Sequence, residues 1–462
     1  MPINSFLYPG AKVTPVYEVA NSVRFNGSNT YMTRTMGTPT NADKFSFSFW
    51  VKRSTLSAQQ SIFRSTNGAA SNDSHVTFRS GDTLEFQEYG GSSSIGEIET
   101  NQKFIDVSAW YSILLVWDSG NSTAGNRMRM YVNGTEVTSF GTDSNPSQNA
   151  DSYFNKSGES LHFGRTDYSG GANYFSGYIC EMVMCDGQAL VPSDIGEFDS
   201  DSPNIFKPID VSGLTFGNNG FYLNFEDSSD LGKDVSGNGN HFTESNFSAT
   251  DQSTDTCTNN FATLNSLANL TGSPTFSEGN LKVAGDSSAN HNWQTTFVVS
   301  SGKWYWELKD LTSSPDGSLL FYDQSISSGS HPGYGFVLNT KKKVIGGSVT
   351  GSAIGSSAQN DIWSMALDLD NGKMFIARNG TYLSSGDPAN GTNPFIQTSD
   401  GLPSEGVFGG HIYGGSMELN FGGGTPTSIS SGNADDNGYG NFEYDVPSGF
   451  YALNTKNLAE FG

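Results

Sequence analysis

Trp110-Tyr-Ser-Ile-Leu-Leu-Val-Trp-Asp118, followed after a turn-rich gap by Met128-Arg-Met-Tyr-Val-Asn-Gly-Thr135, is one copy of a phrase that occurs twice. The other copy is Trp363-Ser-Met-Ala-Leu-Asp-Leu-Asp370, then Asn371-Gly372, then Lys373-Met-Phe-Ile-Ala-Arg-Asn-Gly-Thr381. Each copy reads as an aromatic-led strand, an acidic turn, a second strand and an Asn-Gly-Thr that turns the chain again. Asn-Gly suits a two-residue type I′ turn because both residues tolerate positive φ. With Asn371-Gly372 as the turn, Asp370 faces Lys373, Leu369 faces Met374, Asp368 faces Phe375 and Leu367 faces Ile376. That register places Leu367, Leu369, Met374 and Ile376 on one apolar face. Around Asn133-Gly134 the same logic sets Val132 against Thr135 and Met130 against Val137.

The chain has 462 residues with Gly 55, Phe 32 and Tyr 19, and few long amphipathic stretches. Two or three all-β, turn-rich domains are expected at that length. Helix signals are confined to Pro192-Ser-Asp-Ile-Gly-Glu-Phe198 and the last residues. Lys+Arg 24 against Asp+Glu 47 gives a net charge of -23, which disfavours nucleic acid and anionic lipid as partners. Lys341-Lys-Lys343 reads as a solvated turn. Three cysteines argue against a disulfide framework. Cys180 and Cys185, on one strand, are expected to point to opposite faces, and Cys257 falls in a polar linker. No stretch approaches the ~18 apolar residues of a membrane span. The first ten residues lack the basic and apolar regions of a signal peptide. Asn133-Gly-Thr135 and Asn379-Gly-Thr381 match the glycosylation sequon, but read as turns.

Residues 1–20 form an extended, Pro-punctuated arm carrying Phe6, Leu7, Tyr8, Val13, Val16 and Tyr17. Such an arm either adds a strand to its own domain or docks on a neighbour, with Phe6, Leu7 and Tyr8 as docking residues. A dense strand pattern then runs from Ser22. Its clearest member is the alternation of Phe45, Phe47, Phe49 and Val51 against Ser46, Ser48 and Trp50. Residues near 213–260 are rich in Asp, Ser, Asn and Gly and read as a connecting region with one strand, Gly220-Phe-Tyr-Leu-Asn-Phe225. That region either completes the first unit or braces the joint.

Val23-Arg-Phe-Asn-Gly27, Phe45 to Val51, Trp110 to Asp118, Met130-Tyr-Val-Asn-Gly134, Leu161-His-Phe-Gly164 and Phe175-Ser-Gly-Tyr-Ile179 occur in an order that resembles the laminin-G-like, concanavalin-A-like family over residues 21–212. From residue 261 to 462 the chain resembles the SPRY family through Gly302-Lys-Trp-Tyr-Trp-Glu307, Gly333-Tyr-Gly-Phe336, Asp361-Ile-Trp363, Ala366 to Gly380 and Met417-Glu-Leu-Asn-Phe-Gly422. Gly422-Gly-Gly-Thr-Pro426 departs from that family where its last strand should close. The resemblance implies two concanavalin-A-like antiparallel sandwiches, or jelly rolls, in tandem.

Motifs that carry chemistry are scarce. Asp368, Asp370 and Asn371-Gly372 fail the calcium-loop spacing. No cofactor is expected. The laminin-G-like resemblance admits one exception, a calcium ion among Asp227, Asp230, Asp234, Asn238 and Asn240, against the plainer reading of a solvated linker. The E-x-D-x-x-E pair of jelly-roll glycosidases is absent, and Glu97/Glu99 and Glu443/Asp445 read as alternating exposed acids. Sugar sites on sandwiches combine aromatic faces with amide and carboxylate partners. Arg165-Thr-Asp-Tyr-Ser-Gly-Gly-Ala-Asn-Tyr174 has that composition, with Tyr168, Asn173 and Tyr174 as candidates. Ser330-His-Pro-Gly-Tyr334 offers His331 and Tyr334 as a second, partner-binding loop.

Tandem sandwiches behind an apolar arm are similar to virion proteins of tailed bacteriophages, especially those of marine bacteria, and the end Val446-Pro-Ser-Gly-Phe-Tyr-Ala-Leu-Asn-Thr-Lys-Asn-Leu458 shares that likeness. It implies a non-enzymatic structural or adhesive component of a phage particle: a tail-fibre, tail-tip or capsid-surface protein. Its expected partners are other virion proteins and a host-surface glycan or receptor, in an oligomer that follows particle symmetry. The alternatives are a polysaccharide depolymerase and an intracellular scaffold of SPRY type.

Overall fold

The computed structural model describes residues 17–66, 72–166, 173–268, 271–312, 316–323 and 331–462. Two β-sandwiches stand in series. One sheet of the first sandwich runs Thr135–Glu136, Met128–Val132, Tyr111–Asp118, Lys44–Arg53, Ser176–Asp186, Ser22–Asn26 and Gln252–Ser253. Opposite it lie Phe140–Ser144, Ser93–Thr100, Leu84–Gly90, Ser74–Phe78, Gln60–Thr66, Ser160–Phe163, Tyr31–Thr35 and Thr243–Ser245. Phe45, Phe47, Phe49 and Val51 are wholly buried between the two sheets, as their alternation predicts. Phe47 stacks across the gap on Phe63 at 4.8 Å, and Phe63 stacks on Phe163 at 4.9 Å.

The other face of that strand is also covered. Phe206 stacks on Trp50 at 6.1 Å, and Leu190, Ile195, Val211 and Phe216 complete an outer apolar layer. This layer accounts for one departure from the sequence reading. A bulge in Ser176–Asp186 at Glu181, whose φ is +51°, shifts the register so that Cys180, Val183 and Cys185 oppose Trp50, Ser48 and Ser46. Cys180 and Cys185 therefore share the outer face, because the extra residue restores the parity that an unbroken strand would reverse.

The second sandwich pairs Thr275–Ser277, Lys282–Gly285, Gly415–Asn420, Lys303–Asp310, Ile362–Asp368, Lys373–Arg378 and Thr381–Tyr382 in one sheet. His291–Val299, Gly406–Ile412, Ser318–Tyr322, Tyr334–Val337, Lys342–Ile345 and Ser348–Thr350 form the other. Trp293, Trp304, Trp306 and Trp363 are fully buried in its core. Among the described residues the pairing is antiparallel throughout, except where Tyr451–Ala452 runs parallel beside Lys303–Asp310.

The repeated phrase is a structural repeat, with a different internal correspondence. Asn133-Gly134 has φ of +48° and +75°, and Asn379-Gly380 has +46° and +75°, the signs that type I′ requires. Asn133 donates its backbone N–H to Ser112 O and accepts from Ser112 N at its Oδ1, both at 2.9 Å. Asn379 does the same with Ile362, at 2.8 and 2.9 Å. The start of each first strand, at Ser112 and Ile362, is thus met by an asparagine side chain acting as an extra peptide group. Lys44 pairs with Asp118 at 3.2 Å and Lys303 with Asp368 at 3.1 Å at the far ends of those strands.

Asn371-Gly372 is not a two-residue turn. Asp368 accepts from Asn371 N at 2.9 Å and also binds its Nδ2, so the connection has four residues and Asp368, not Asp370, opposes Lys373. Leu367 now faces Met374 and Met365 faces Ile376. A slip of two preserves side-chain parity, so Leu367, Met374 and Ile376 keep the buried face while Leu369 lies at its margin.

The stretch 213–260 contains three strands where one was expected. Phe221–Leu223 pairs with Ser176–Asp186, Thr243–Ser245 with Tyr31–Thr35 and Gln252–Ser253 with Ser22–Asn26. Strands of two or three residues carry too little alternation to register in an Asn- and Asp-rich sequence. Those polar residues hold the loops: Asp234 accepts from Tyr222 N, Ser236 N and Asn240 N, and Asn240 Nδ2 donates to Gly220 O. At the ends, Pro192–Asp194 is a single 3-10 turn rather than a longer helix. Thr455–Phe461 is helical, capped by Asn454 accepting from Asn457 N.

The sandwiches meet around a buried ion pair. Lys52 Nζ, its side chain 1% exposed, lies 2.8 Å from Asp255 Oδ2 and donates to Asn260 Oδ1 and Phe261 O. Trp110, which falls outside its expected strand, donates Nε1–H to Asp255 Oδ1 at 3.1 Å. Arg24 pairs with Asp251 at 2.9 Å and approaches Glu278 at 3.6 Å, and Tyr178 donates to Gly279 O. The Gly422-Gly-Gly-Thr-Pro426 run belongs to this joint: Gly423 O accepts from Thr254 N at 2.7 Å, and a Cβ there would stand 2.7 Å from the Phe261 ring. The described end of the arm is anchored beside it, with Val19 buried and Tyr17 donating to Glu181. Phe6, Leu7 and Tyr8 lie outside the described residues.

Two outcomes are expected. Lys52→Met leaves Asp255 buried without its counter-charge, and should lower stability in urea unfolding by about 3–5 kcal/mol. Burial pushes the Glu181 carboxyl up to about 7 from 4.5 despite hydrogen bonds from Tyr222 and Tyr17. The folded state therefore holds a proton that the unfolded chain releases between those values, and stability falls as pH rises from 4.5 through 7. Unfolding midpoints across that range should show less of this fall in Glu181→Gln.

Candidate functional site

Alternation on Lys303–Asp310 sends Trp304 and Trp306 into the core and brings Tyr305 and Glu307 out on the opposite face. The register then aligns two short rows across three strands, Tyr305 with Ala366 and Phe375, and Glu307 with Ser364 and Ala377. Three of these six residues are alanine or serine, so the sheet face is hollow here. The C-terminal segment fills part of the hollow, with Phe442 packed edge-on against Tyr305 at 5.0 Å. What remains is an open cavity of about 340 Å³, lined by Tyr305, Ser364, Ala377, Tyr382 and Tyr444 with Asp387, Pro388, Asp445 and Pro447 at its rim.

Glu307 organises this cavity from behind. Its carboxylate accepts from Glu443 N, Tyr444 N and the Tyr305 hydroxyl, each at 2.9 Å, which ties the C-terminal segment to the sheet and positions Tyr444. Burial raises the Glu307 carboxyl above its ordinary range. Tyr444 packs over the type I′ turn, where a Cβ on Gly380 would stand 2.6 Å from its ring. Tyr382 lies edge-on to Phe375 at 6.5 Å, and burial raises its phenol further above the usual value. Asp387 is fixed by Asn390 N at 3.1 Å and Asn390 Nδ2 at 2.8 Å, while Asp445 is exposed. Among the described residues, no lysine, arginine or histidine lines the cavity. Aromatic faces with hydroxyl and carboxylate partners suit a polyhydroxylated ring, which offers C–H on its faces and O–H at its edge.

The described residues among those proposed from sequence lie elsewhere. Asn173 accepts at its carbonyl from Ser61 N and donates N–H to Thr166 Oγ1 at 2.8 Å. Tyr174 is 6.4 Å from Tyr31, whose ring also carries the Arg165 guanidinium at 3.6 Å. Tyr168 lies outside the described residues. In the second sandwich His331 Nδ1 is 3.0 Å from Nδ1 of buried His411, and burial lowers the pKa of both rings, that of His411 to about 3. Tyr334 is half-buried against the second core. None of the described ones among these lines the tyrosine cavity.

Glu97 and Glu99 meet Glu85 on the outer face of the first sandwich, one carboxylate oxygen of each lying within 4.8 Å of the others. Thr83 donates to Glu99, Gln87 to Glu97, and Arg79 to Glu85. Burial opposes charge on His75, yet hydrogen bonds to Asp73 and Glu85 carry it up to about 9, so an imidazolium joins the cluster. Asp445 is legible in the sequence as half of a carboxylate pair, whereas Tyr444 between the acids belongs to no motif. The available signal was the run of small residues at Ser364, Ala366 and Ala377.

The family model for the concanavalin A-like lectin/glucanases superfamily matches residues 26–196, within the first sandwich. No curated protein matches the chain. Among solved structures, a native heptameric SAP-like pentraxin from Limulus polyphemus is 19% identical, with 38% of this chain and 80% of that chain covered and a TM-score of 0.29. The SPRY domain of human HERC1 is 11% identical, covering 32% of this chain and 91% of that one, with a TM-score of 0.26. The CBM40 of Ruminococcus gnavus IT-sialidase, bound to α2,3 sialyllactose, is 12% identical over 35% of this chain and 89% of that one, with a TM-score of 0.26.

Gly380→Ala should cost more than Gly438→Ala. Both glycines have positive φ, +75° and +81°, but only Gly380 has a ring in the way of a Cβ. Each change should cost about 1 kcal/mol from backbone strain, with the added clash visible at Gly380 alone in urea unfolding.

Proposed function

We propose that the protein is a non-catalytic glycan-binding adhesin whose ligand seats in the tyrosine cavity of the second sandwich. The observation that carries this reading is the convergence of Tyr305, Tyr382 and Tyr444 on one hollow of about 340 Å³ with carboxylates at its rim. That volume falls within the ~300–1,000 Å³ range of small-ligand sites. Carboxylates without a lining cation favour neutral or amine-bearing saccharides and repel uronic and sialic acids. Glu307, the buried carboxyl that binds Tyr305, already accepts from the Tyr305 hydroxyl, Glu443 N and Tyr444 N, which favours binding over glycoside cleavage.

In its biological setting the adhesin is a component of a phage particle, at the tail or capsid surface, docked by residues 1–20 and presenting the sandwiches to the host. The sequence likeness to virion proteins supports this assignment, and mass spectrometry of purified particles tests it. A particle preparation lacking the chain would remove the virion role and leave glycan binding intact.

Calorimetry with neutral, amine-bearing and uronic oligosaccharides tests the site. Neutral or amine-bearing ligands should bind, uronic ones should not, and Tyr444→Ala should weaken binding at least ~10-fold, as loss of one stacked ring of about 1.4 kcal/mol would require. Unchanged affinity in Tyr444→Ala, or a preference for uronic acids, would contradict the assignment.

A further inference from the structure

Cys180 and Cys257 are 77 positions apart, yet their sulfurs lie 3.7 Å from each other. Cys180 is fully buried at the residue before the Glu181 bulge, and Cys257 is half-buried in the turn closed by Thr256 and Asn259. The third cysteine, Cys185, is also buried in the outer apolar layer, where no sulfur contact is made to it among the described residues. The pair joins two elements of different kinds. Cys180 belongs to a central strand of the first sandwich, whereas Cys257 is two residues beyond Asp255, on the segment that receives Lys52.

We propose that Cys180 and Cys257 form a modification site, a dithiol that closes into a disulfide by exchange with a low-molecular-weight disulfide such as oxidised glutathione. The half-buried Cys257 reacts first. Its thiolate attacks one sulfur of the oxidant, forming a mixed disulfide and releasing one glutathione thiolate. Cys180, deprotonated in turn, attacks the Cys257 sulfur, and the second glutathione leaves. Two protein thiols are oxidised, one small disulfide is reduced to two thiols, and the two protons pass to the departing thiolates. Closure brings the sulfurs to ~2.05 Å, a shift that the turn at Cys257 can supply more readily than the paired strand at Cys180.

Burial holds the Cys257 thiol well above its ordinary range, with Cys180 beside it acting in the same direction. Little thiolate therefore forms at neutral pH, so exchange is slow there and accelerates as pH rises. Once formed, the bond ties the connecting segment covalently to the first sandwich next to the buried ion pair.

The test uses the full chain incubated with oxidised glutathione at pH 7 and pH 9, followed by thiol counting in denaturant and peptide mapping. The expected product keeps one free thiol, at Cys185, and yields a single cross-linked peptide joining Cys180 to Cys257, formed faster at pH 9. Cys185→Ser should give the same cross-link and retain no thiol, and Cys257→Ser should give none. The cross-link should raise the thermal midpoint, and dithiothreitol should reverse the rise. Three free thiols after prolonged oxidation, a cross-link through Cys185, or glutathione retained on Cys257 without closure would each overturn the proposal. A cross-link that leaves the midpoint unchanged would overturn its role at the joint.

Discussion

A lysine ammonium and an aspartate carboxylate, 2.8 Å apart and almost wholly out of water, hold the two sandwiches to each other. Removing two charges from water is expensive, and the arrangement is sustained only because the remaining donors and acceptors are used. Lys52 also donates to Asn260 and Phe261, and Asp255 also accepts from Trp110 and the Phe261 amide. Every one of these groups sits on an element already fixed by its own sheet or by the connecting segment. The pair therefore specifies an orientation as much as it contributes energy.

The tyrosine cavity depends on the same logic one layer out. Its floor is a β-sheet whose registry is set by the Lys303–Asp368 pair and the Asn379-Gly380 turn, and its wall is the C-terminal segment clipped on by buried Glu307. A site assembled from strands and a carboxylate clip needs little rearrangement to receive a ligand, which lowers the ordering cost of binding. The C-terminal segment is itself attached at the joint, where Asn260 N donates to Thr455 Oγ1 and Glu18 pairs with Lys456 at 2.7 Å.

Much of this architecture is legible in the sequence, and the failures have physical causes. The alternation of Phe45 to Val51 identified the first core, and Asn133-Gly134 identified a type I′ turn. Asn371-Gly372 misled because Asp368 captures Asn371 through its side chain, a local hydrogen bond that competes with the two-residue turn. Cys180 and Cys185 share a face that their spacing denies, because a single bulged residue leaves no mark in a periodic pattern. The strands within 213–260 were hidden by their shortness. The cavity was missed for a different reason: its tyrosines come from positions 305, 382 and 444, and only the register of the sheet and the fold of the C-terminal segment bring them together.

The most direct measurement is amide hydrogen exchange of the full chain with and without a saturating neutral oligosaccharide. Binding at the tyrosine cavity predicts added protection at 380–389 and 443–447, with the loops around Asn173 and His331 unchanged. Protection centred on those loops, or none at any segment under conditions where calorimetry records binding, would contradict the account.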